Sequence, residues 1–251
     1  ENEFAERSRA ALEATAGPEQ LTPGDKPIAS AVFFTRLGQR LVHMFTTHTP
    51  SGVLYDVDLR LRPSGASGLL VSSVEAYAEY QTSEAWTWEH QALVRARPIA
   101  GDQAVLQRFA AIRREVLTRA RDFNQLRGEV RAMREKMRAT FANPGKGKFD
   151  LKQGHGGIVD IEFLVQFGVL AWAHEHPALL EFTDNIRLLD ELGKAEKLSA
   201  GDVNMLCDAY RSYRARQHKL ALQSAPAVVD EGEYAESRAR VMDVWRKFLE
   251  S

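Results

Sequence analysis

Four charged residues at alternate positions, Asp56, Asp58, Arg60 and Arg62, carry the chemistry this sequence offers most openly. Val53, Tyr55, Val57, Leu59 and Leu61 occupy the other parity. Alternation of period two predicts a strand over residues 53–63 with one buried face. On the opposite face two carboxylates and then two guanidiniums stand in one line, each about 6.5–7 Å from the next. Carboxylates at that pitch suit a hard cation such as magnesium. Guanidiniums beside them suit phosphate, which their planar fork holds by two parallel hydrogen bonds. A solvated sheet face laced with salt bridges would give the same row, and the spacing leaves both readings open. Pro63 ends the strand, Ser64-Gly65-Ala66-Ser67-Gly68 reads as a turn, and residues 68–72 read as a second, antiparallel strand.

Four further groups merit the same question. Gly154-His155-Gly156-Gly157 opens a helix just after Lys152, an arrangement that could cradle phosphate on backbone amides. Tight-turn geometry explains those glycines equally well. Asp160 and Glu162, two residues apart on a helix, do not share a face and make a poor metal pair. Arg127, Arg131, Arg134 and Arg138 recur at 4-3-4 steps as a basic stripe about 16 Å long. The stripe reads as a solvated helix face, or as a surface for a polyphosphate or acidic partner. Glu89 beside His90 has the form of an acid–base pair, but such a histidine is usually structural and is assigned no chemistry.

The elements that must position these groups follow from periodicity. Residues 2–14 favour a helix, and glycines and prolines make residues 16–27 a loop. A helix over residues 28–47 presents Phe34, Leu37, Leu41 and Met44 or Phe45 on one face, with Gly38 allowing close approach to a sheet. Ser72 and Glu75 form a capping box for a helix over residues 74–80, and residues 86–96 are helical too. Beyond residue 103 the pattern is helical almost throughout. Val105, Phe109, Ile112 and Val116 make one seam; Leu126, Val130, Met133 and Met137 make a second. Residues 143–148 break the chain, and a short extended piece precedes the glycines. From Ile158 a helix is apolar nearly all round, which predicts a place at the centre of a bundle. Asp184, Ser199 and Tyr234 open the remaining helical segments.

At 251 residues the chain is comfortable for two cores. A net charge of −1 predicts no general attraction to nucleic acid or to an acidic membrane surface. One cysteine, Cys207, excludes an intrachain disulfide and fits a reducing cytoplasm. No apolar run reaches the ~20 residues of a membrane span.

Three stretches carry a resemblance to a known family. They are Ser51-Gly52-Val53-Leu54-Tyr55-Asp56-Val57-Asp58-Leu59-Arg60-Leu61-Arg62-Pro63-Ser64-Gly65, the Ala85-Trp86-Thr87-Trp88-Glu89-His90-Gln91-Ala92-Leu93-Val94-Arg95-Ala96-Arg97 stretch, and residues 152–163, Lys-Gln-Gly-His-Gly-Gly-Ile-Val-Asp-Ile-Glu-Phe. In this order they resemble the glutamine synthetase adenylyltransferases, and the Trp-Thr-Trp-Glu-His-Gln wording resembles the C-terminal, adenylylating half. The resemblance implies an α+β chain, mostly helical. Residues 1–102 would be part of a polymerase-beta-type nucleotidyltransferase domain with a small sheet, and residues 103–251 a helical bundle. It implies AMP transfer from ATP to a tyrosine hydroxyl of glutamine synthetase, with two magnesium ions, in the regulation of nitrogen assimilation. The PII signalling protein is an implied partner of the parent protein.

In the family pattern a Gly-Ser-Asp-x-Asp pair supplies two metal carboxylates and a later strand supplies the third. Asp58 matches the third position, with Asp56 in support. Arg60, Arg62, Lys152, Gly156 and Gly157 are the expected nucleotide-binding residues. No Gly-Ser-Asp-x-Asp occurs in these 251 residues. The expectation is that the pair lies just before Glu1 in a longer parent and that this chain alone is inactive. Two alternatives remain: removal of AMP by phosphorolysis, and a non-catalytic module that docks glutamine synthetase or PII.

Overall fold

The computed structural model describes residues 21–22, 26–53, 55–141 and 145–250. The predicted helix over residues 2–14, most of the predicted loop at 16–27, Leu54, and Asn143 and Pro144 of the predicted break lie outside the described residues. The described chain is mostly helical with one two-stranded antiparallel sheet, consistent with an α+β class.

The chain divides into two compact units. The first holds residues 1–85 and 98–112; the second holds residues 86–97 and 113–251. Residues 86–97 therefore pack with the helical second unit although they precede the end of the first.

In the first unit, α1 (Ser30–Thr46) forms where its apolar period predicts, yet none of its residues is buried. Leu41, Met44 and Phe45 of the predicted core face are exposed. Gly38 meets Val71 and Leu70: a Cβ there would lie 3.1 Å from Val71 Cγ2. α2 (Val74–Ser83) is capped one residue later than predicted, by the Ser73 hydroxyl accepting from the Ala76 amide. The segments expected as strands, 53–63 and 68–72, are not strands among the described residues. A strand needs a neighbour to take its backbone donors and acceptors. Here the Tyr55 amide donates to the Phe45 carbonyl, at the end of α1, and the Tyr55 ring meets Phe45 edge-on. Val53, Tyr55 and Leu61, predicted to be buried, are exposed.

The second unit is built around one helix. α3 (Thr87–Val94), α4 (Gln103–Leu117) and α5 (Phe123–Phe141) precede strand β1 (Lys148–Asp150), and α6 (Ile158–Trp172) follows it. α7 (Asn185–Lys194), α8 (Ala200–Leu222), strand β2 (Val228–Asp230) and α9 (Ala235–Leu249) complete the chain. α4 carries the division between the units, which falls after Ile112. α6 is buried from Ile158 to Ala171 except at Glu162, as a helix apolar on every side requires. It packs against α3, α5, α7, α8 and α9. Gly168 admits Leu192 of α7, which a Cβ would meet at 2.8 Å. Caps fix the starts of α7 and α8: Asp184 accepts from the Arg187 amide and Ser199 from the Asp202 amide.

β1 pairs with β2 in antiparallel register, Phe149 opposite Val229 with both side chains buried. The sequence reading anticipated an extended piece at β1 but not its partner β2. The small sheet thus lies in the second unit, where it anchors the glycine-rich loop, and not around residues 53–63.

Candidate functional site

The candidate residues fall in two places, each described within its own unit. Asp56, Asp58, Arg60 and Arg62 lie on an irregular segment of the first unit; Lys152, Gly156 and Gly157 lie at the start of α6 in the second.

Asp58 and Arg60 are brought together. Arg60 Nε lies 3.0 Å from Asp58 Oδ1 and 3.1 Å from Oδ2, and a terminal nitrogen donates to Oδ2 at 2.6 Å. The Arg60 amide also donates to Oδ1, at 2.9 Å. The side-chain bonds first, and the amide second, hold the Asp58 carboxyl down at about 2, below its ordinary 3.8. Both side chains remain open to solvent, 80% exposed for Arg60 and 51% for Asp58. Asp56, also exposed, lies near enough to add to the attraction on Arg60. Arg62 turns inward, donating to the Leu59 carbonyl at 2.7 Å and to the Gly68 carbonyl at 3.3 Å. It thereby ties the segment to the tight turn that follows. Gly68 is obligatory in that turn, since a Cβ would fall 1.8 Å from the Pro63 carbonyl oxygen.

The donor chemistry of this segment fits a hard divalent cation. Two solvent-facing carboxylates lie two residues apart, and magnesium characteristically takes one or two carboxylates with substrate phosphates and water filling its other positions. Among the described residues no group of three or more His, Cys, Asp or Glu side chains converges on one point.

The glycine-rich loop has a different geometry from an open phosphate cradle. The Gly156 amide donates to Asp160 Oδ2 at 2.7 Å, and the Gly157 amide to the Gly154 carbonyl at 3.0 Å. The next two amides, of Ile158 and Val159, donate to the Leu151 and Lys152 carbonyls. A helix N-terminus binds anions through amides left open; these four already have acceptors. The glycines answer to packing. Gly156 has φ +75° and a Cβ there would lie 2.6 Å from the Arg238 carbonyl oxygen. A Cβ on Gly157 would lie 2.8 Å from the Leu151 carbonyl oxygen. Lys152 itself is exposed.

The residue that organises this loop is Asp160, which the spacing argument set aside. It is wholly buried. Arg134 Nε donates to its Oδ1 at 2.5 Å, and one Arg138 nitrogen reaches Oδ1 at 2.9 Å and Oδ2 at 3.1 Å. Arg134 also binds the side-chain oxygen and the carbonyl of Gln153, at 3.1 and 2.8 Å. One carboxylate thus joins two arginines of α5 to the loop and to α6. Burial pushes the Arg134 guanidinium down from its usual range and the Asp160 charge opposes that shift. Half of the predicted basic stripe is therefore interior, whereas Arg131 faces solvent.

Glu162, on another face of α6, accepts from Arg95 at 3.2 Å and from the Tyr210 hydroxyl at 3.2 Å. Asn185 donates to the same hydroxyl at 2.9 Å. Burial, and then the Glu162 charge, raise the Tyr210 phenol. One helical turn on, Gln91 donates to Gln166 at 3.1 Å. The residues of the Trp-Thr-Trp-Glu-His-Gln stretch are accounted for in the same way. Glu89 accepts the Trp86 amide at the start of α3, and the Thr87 hydroxyl donates to Glu129. His90 Nδ1 lies 3.5 Å from Arg121, whose guanidinium also donates to the Val116 and Arg119 carbonyls.

Residues 12–112 match the family model described as glutamate-ammonia ligase adenylyltransferase, and residues 121–226 match that of GlnD PII-uridylyltransferase. A protein of Nitrosococcus oceani named bifunctional glutamine synthetase adenylyltransferase/adenylyl-removing enzyme is 56% identical over 227 residues, which is 90% of this chain and 23% of the relative. Proteins of the same name from Thioalkalivibrio sulfidiphilus and Pseudomonas aeruginosa are 54% and 53% identical, over 95% and 92% of this chain and 25% of each relative. The chain belongs to the glutamate-ammonia ligase adenylyltransferase family. It spans about a quarter of the length of the curated relatives it matches. Within this adenylyltransferase-family chain, the Arg134–Asp160–Arg138 cluster is what the sequence reading missed. The available signal was an aspartate inside a helix apolar nearly all round, since such a charge is buried only with a partner.

Proposed function

We propose that this chain is part of the adenylylating, C-terminal half of a cytoplasmic enzyme that moves AMP from ATP to a tyrosine hydroxyl of glutamine synthetase. The observation that carries the reading is the pair of solvent-facing carboxylates, Asp56 and Asp58, two residues apart on one segment. It stands in a chain more than half identical to enzymes named for that reaction. The first unit would be the remainder of a polymerase-beta-type nucleotidyltransferase domain and the second its helical companion.

Asp58 and Asp56 would hold magnesium, two ions in the intact parent once a Gly-Ser-Asp-x-Asp pair is present. Magnesium supplies neutralisation of the polyphosphate and of the pyrophosphate leaving group. Asp58, ionised throughout the physiological range, also accepts a hydrogen bond from the attacking hydroxyl and orients it. Arg60 holds phosphate oxygens through its fork. Arg62 shapes the turn while keeping its charge beside the phosphates. In the second unit, Gly156 and Gly157 serve by fixing the loop through Asp160 and not by offering free amides.

The names of the relatives couple adenylylation with adenylyl removal, and phosphorolytic removal is the second direction this site would support. The third reading, a helical unit that docks PII or glutamine synthetase, draws on the match of residues 121–226 to a model described as GlnD PII-uridylyltransferase. One assay separates the readings. ATP labelled in the α-phosphate, magnesium and purified glutamine synthetase are incubated with a polypeptide of the relatives' length. Label on glutamine synthetase is the expected outcome. Release of the adenylyl group as ADP from pre-adenylylated enzyme supplied with phosphate, without incorporation, or binding without chemistry, would replace the proposal by the second or third reading. The 251-residue chain alone should transfer no label.

A further inference from the structure

Asp58 is not an open carboxylate in this structure. Both oxygens are engaged by the Arg60 side chain, and Oδ1 also accepts the Arg60 amide. A guanidinium fork spread over both oxygens and a divalent cation compete for the same carboxylate and repel each other. Arg60 is also the more open of the two arginines: its side chain is 80% exposed, while Arg62 is turned back on the Leu59 and Gly68 carbonyls. Its backbone amide can stay on Oδ1 while its side chain swings away.

We propose that Arg60 is an exchange residue, which holds Asp58 while no cation is bound and passes to nucleotide phosphate when a divalent cation takes the carboxylate. The inference rests on the metal role proposed for Asp58. It makes the two binding events cooperative through one side chain. A cation arriving alone must displace the fork with no compensation. A cation arriving with a polyphosphate gives the displaced guanidinium a new anion to grip. The unloaded site is thereby kept charge-balanced and closed to free cations, and the paired substrate opens it.

The test is a titration of Mn2+, a hard-cation probe, into the 251-residue chain, followed by its electron spin resonance. It is run on the wild type, Arg60→Gln, Arg62→Gln and Asp58→Asn. Arg60→Gln should bind Mn2+ alone about two- to fivefold tighter than wild type, the range an exposed ion pair supports. The same variant should bind a fluorescent, non-hydrolysable ATP analogue with magnesium more weakly. Arg62→Gln removes the same charge two residues away and should raise Mn2+ affinity by less than Arg60→Gln does. Equal Mn2+ affinity in Arg60→Gln and wild type, with binding lost in Asp58→Asn, would overturn the exchange and leave the metal role of Asp58 standing. So would an equal gain in Arg62→Gln, which would show a general charge effect. Mn2+ binding unchanged by Asp58→Asn, or absent from every chain, would overturn the metal role and the exchange together.

Discussion

Arg134 and Asp160 meet at 2.5 Å with neither side chain reaching solvent. The pair is the point at which α5, the glycine-rich loop and α6 are joined, because Asp160 also takes the Gly156 amide and Arg138. Removing one member of a buried ion pair leaves the other charged, desolvated and unpaired. Asp160→Ala should therefore destabilise the chain by about 3–5 kcal/mol, read as a fall in the urea midpoint. Arg131→Ala, on the exposed part of the same predicted stripe, should change stability by less than about 0.5 kcal/mol. Equal costs for the two would mean that the cluster is not interior.

That contrast also marks how far the sequence could be read. The helical elements of the second unit follow from periodicity, and α6 was legible as central because no face of it is polar. Arg134 and Arg138 were not legible. Steps of 4-3-4 place them in one row with Arg127 and Arg131, and only a carboxylate on another helix decides that two of the four turn inward. The row from Asp56 to Arg62 shows the opposite failure. Its alternation is real, but alternation becomes a strand only beside a partner strand, and none pairs with it among the described residues. Asp58 and Arg60 still meet, through local hydrogen bonding and not through sheet geometry.

Two glycines on helical or loop positions of the second unit should respond in opposite directions. Gly156 has φ +75° and the Arg238 backbone in the space of a Cβ, so Gly156→Ala should cost more than about 1 kcal/mol. Gly128 lies inside α5 with nothing within 4 Å of an added Cβ, so Gly128→Ala should stabilise by up to about 1 kcal/mol. Denaturation midpoints of the two variants check both signs.

The Asp58 carboxyl should titrate near 2, as followed by carboxyl-carbon NMR. A carboxyl lowered by a partner contributes stability above its unfolded value, near 3.8, and loses that contribution as pH falls towards 2. Arg60→Gln should move the midpoint up towards 3.8, since the Arg60 side chain is the largest cause of the shift. A midpoint that stays near 2 in that variant would assign the shift to the backbone amide instead.

Lysine cannot form the planar fork of arginine. In a polypeptide of the relatives' length, Arg60→Lys should lower the rate of AMP transfer by roughly ten- to a hundredfold, the value of a charge-assisted contact of about 1.5–3 kcal/mol. Arg62→Lys should lower it too, with an added loss of stability because the Leu59 and Gly68 carbonyls lose their donor. Steady-state kinetics beside a melting curve separates the two effects. Unchanged kinetics in both would leave the Asp58–Arg60 pair as a surface salt bridge alone.

The central claim is that Asp58 is a metal-holding carboxylate of the transfer reaction. The direct measurement is transfer of α-labelled AMP to glutamine synthetase by the full-length polypeptide, with and without Asp58→Asn, at saturating magnesium. The account predicts a loss on the order of 10²–10³-fold in the variant with an unaltered circular dichroism spectrum and melting temperature. Transfer at near wild-type rate by a folded Asp58→Asn protein would contradict it.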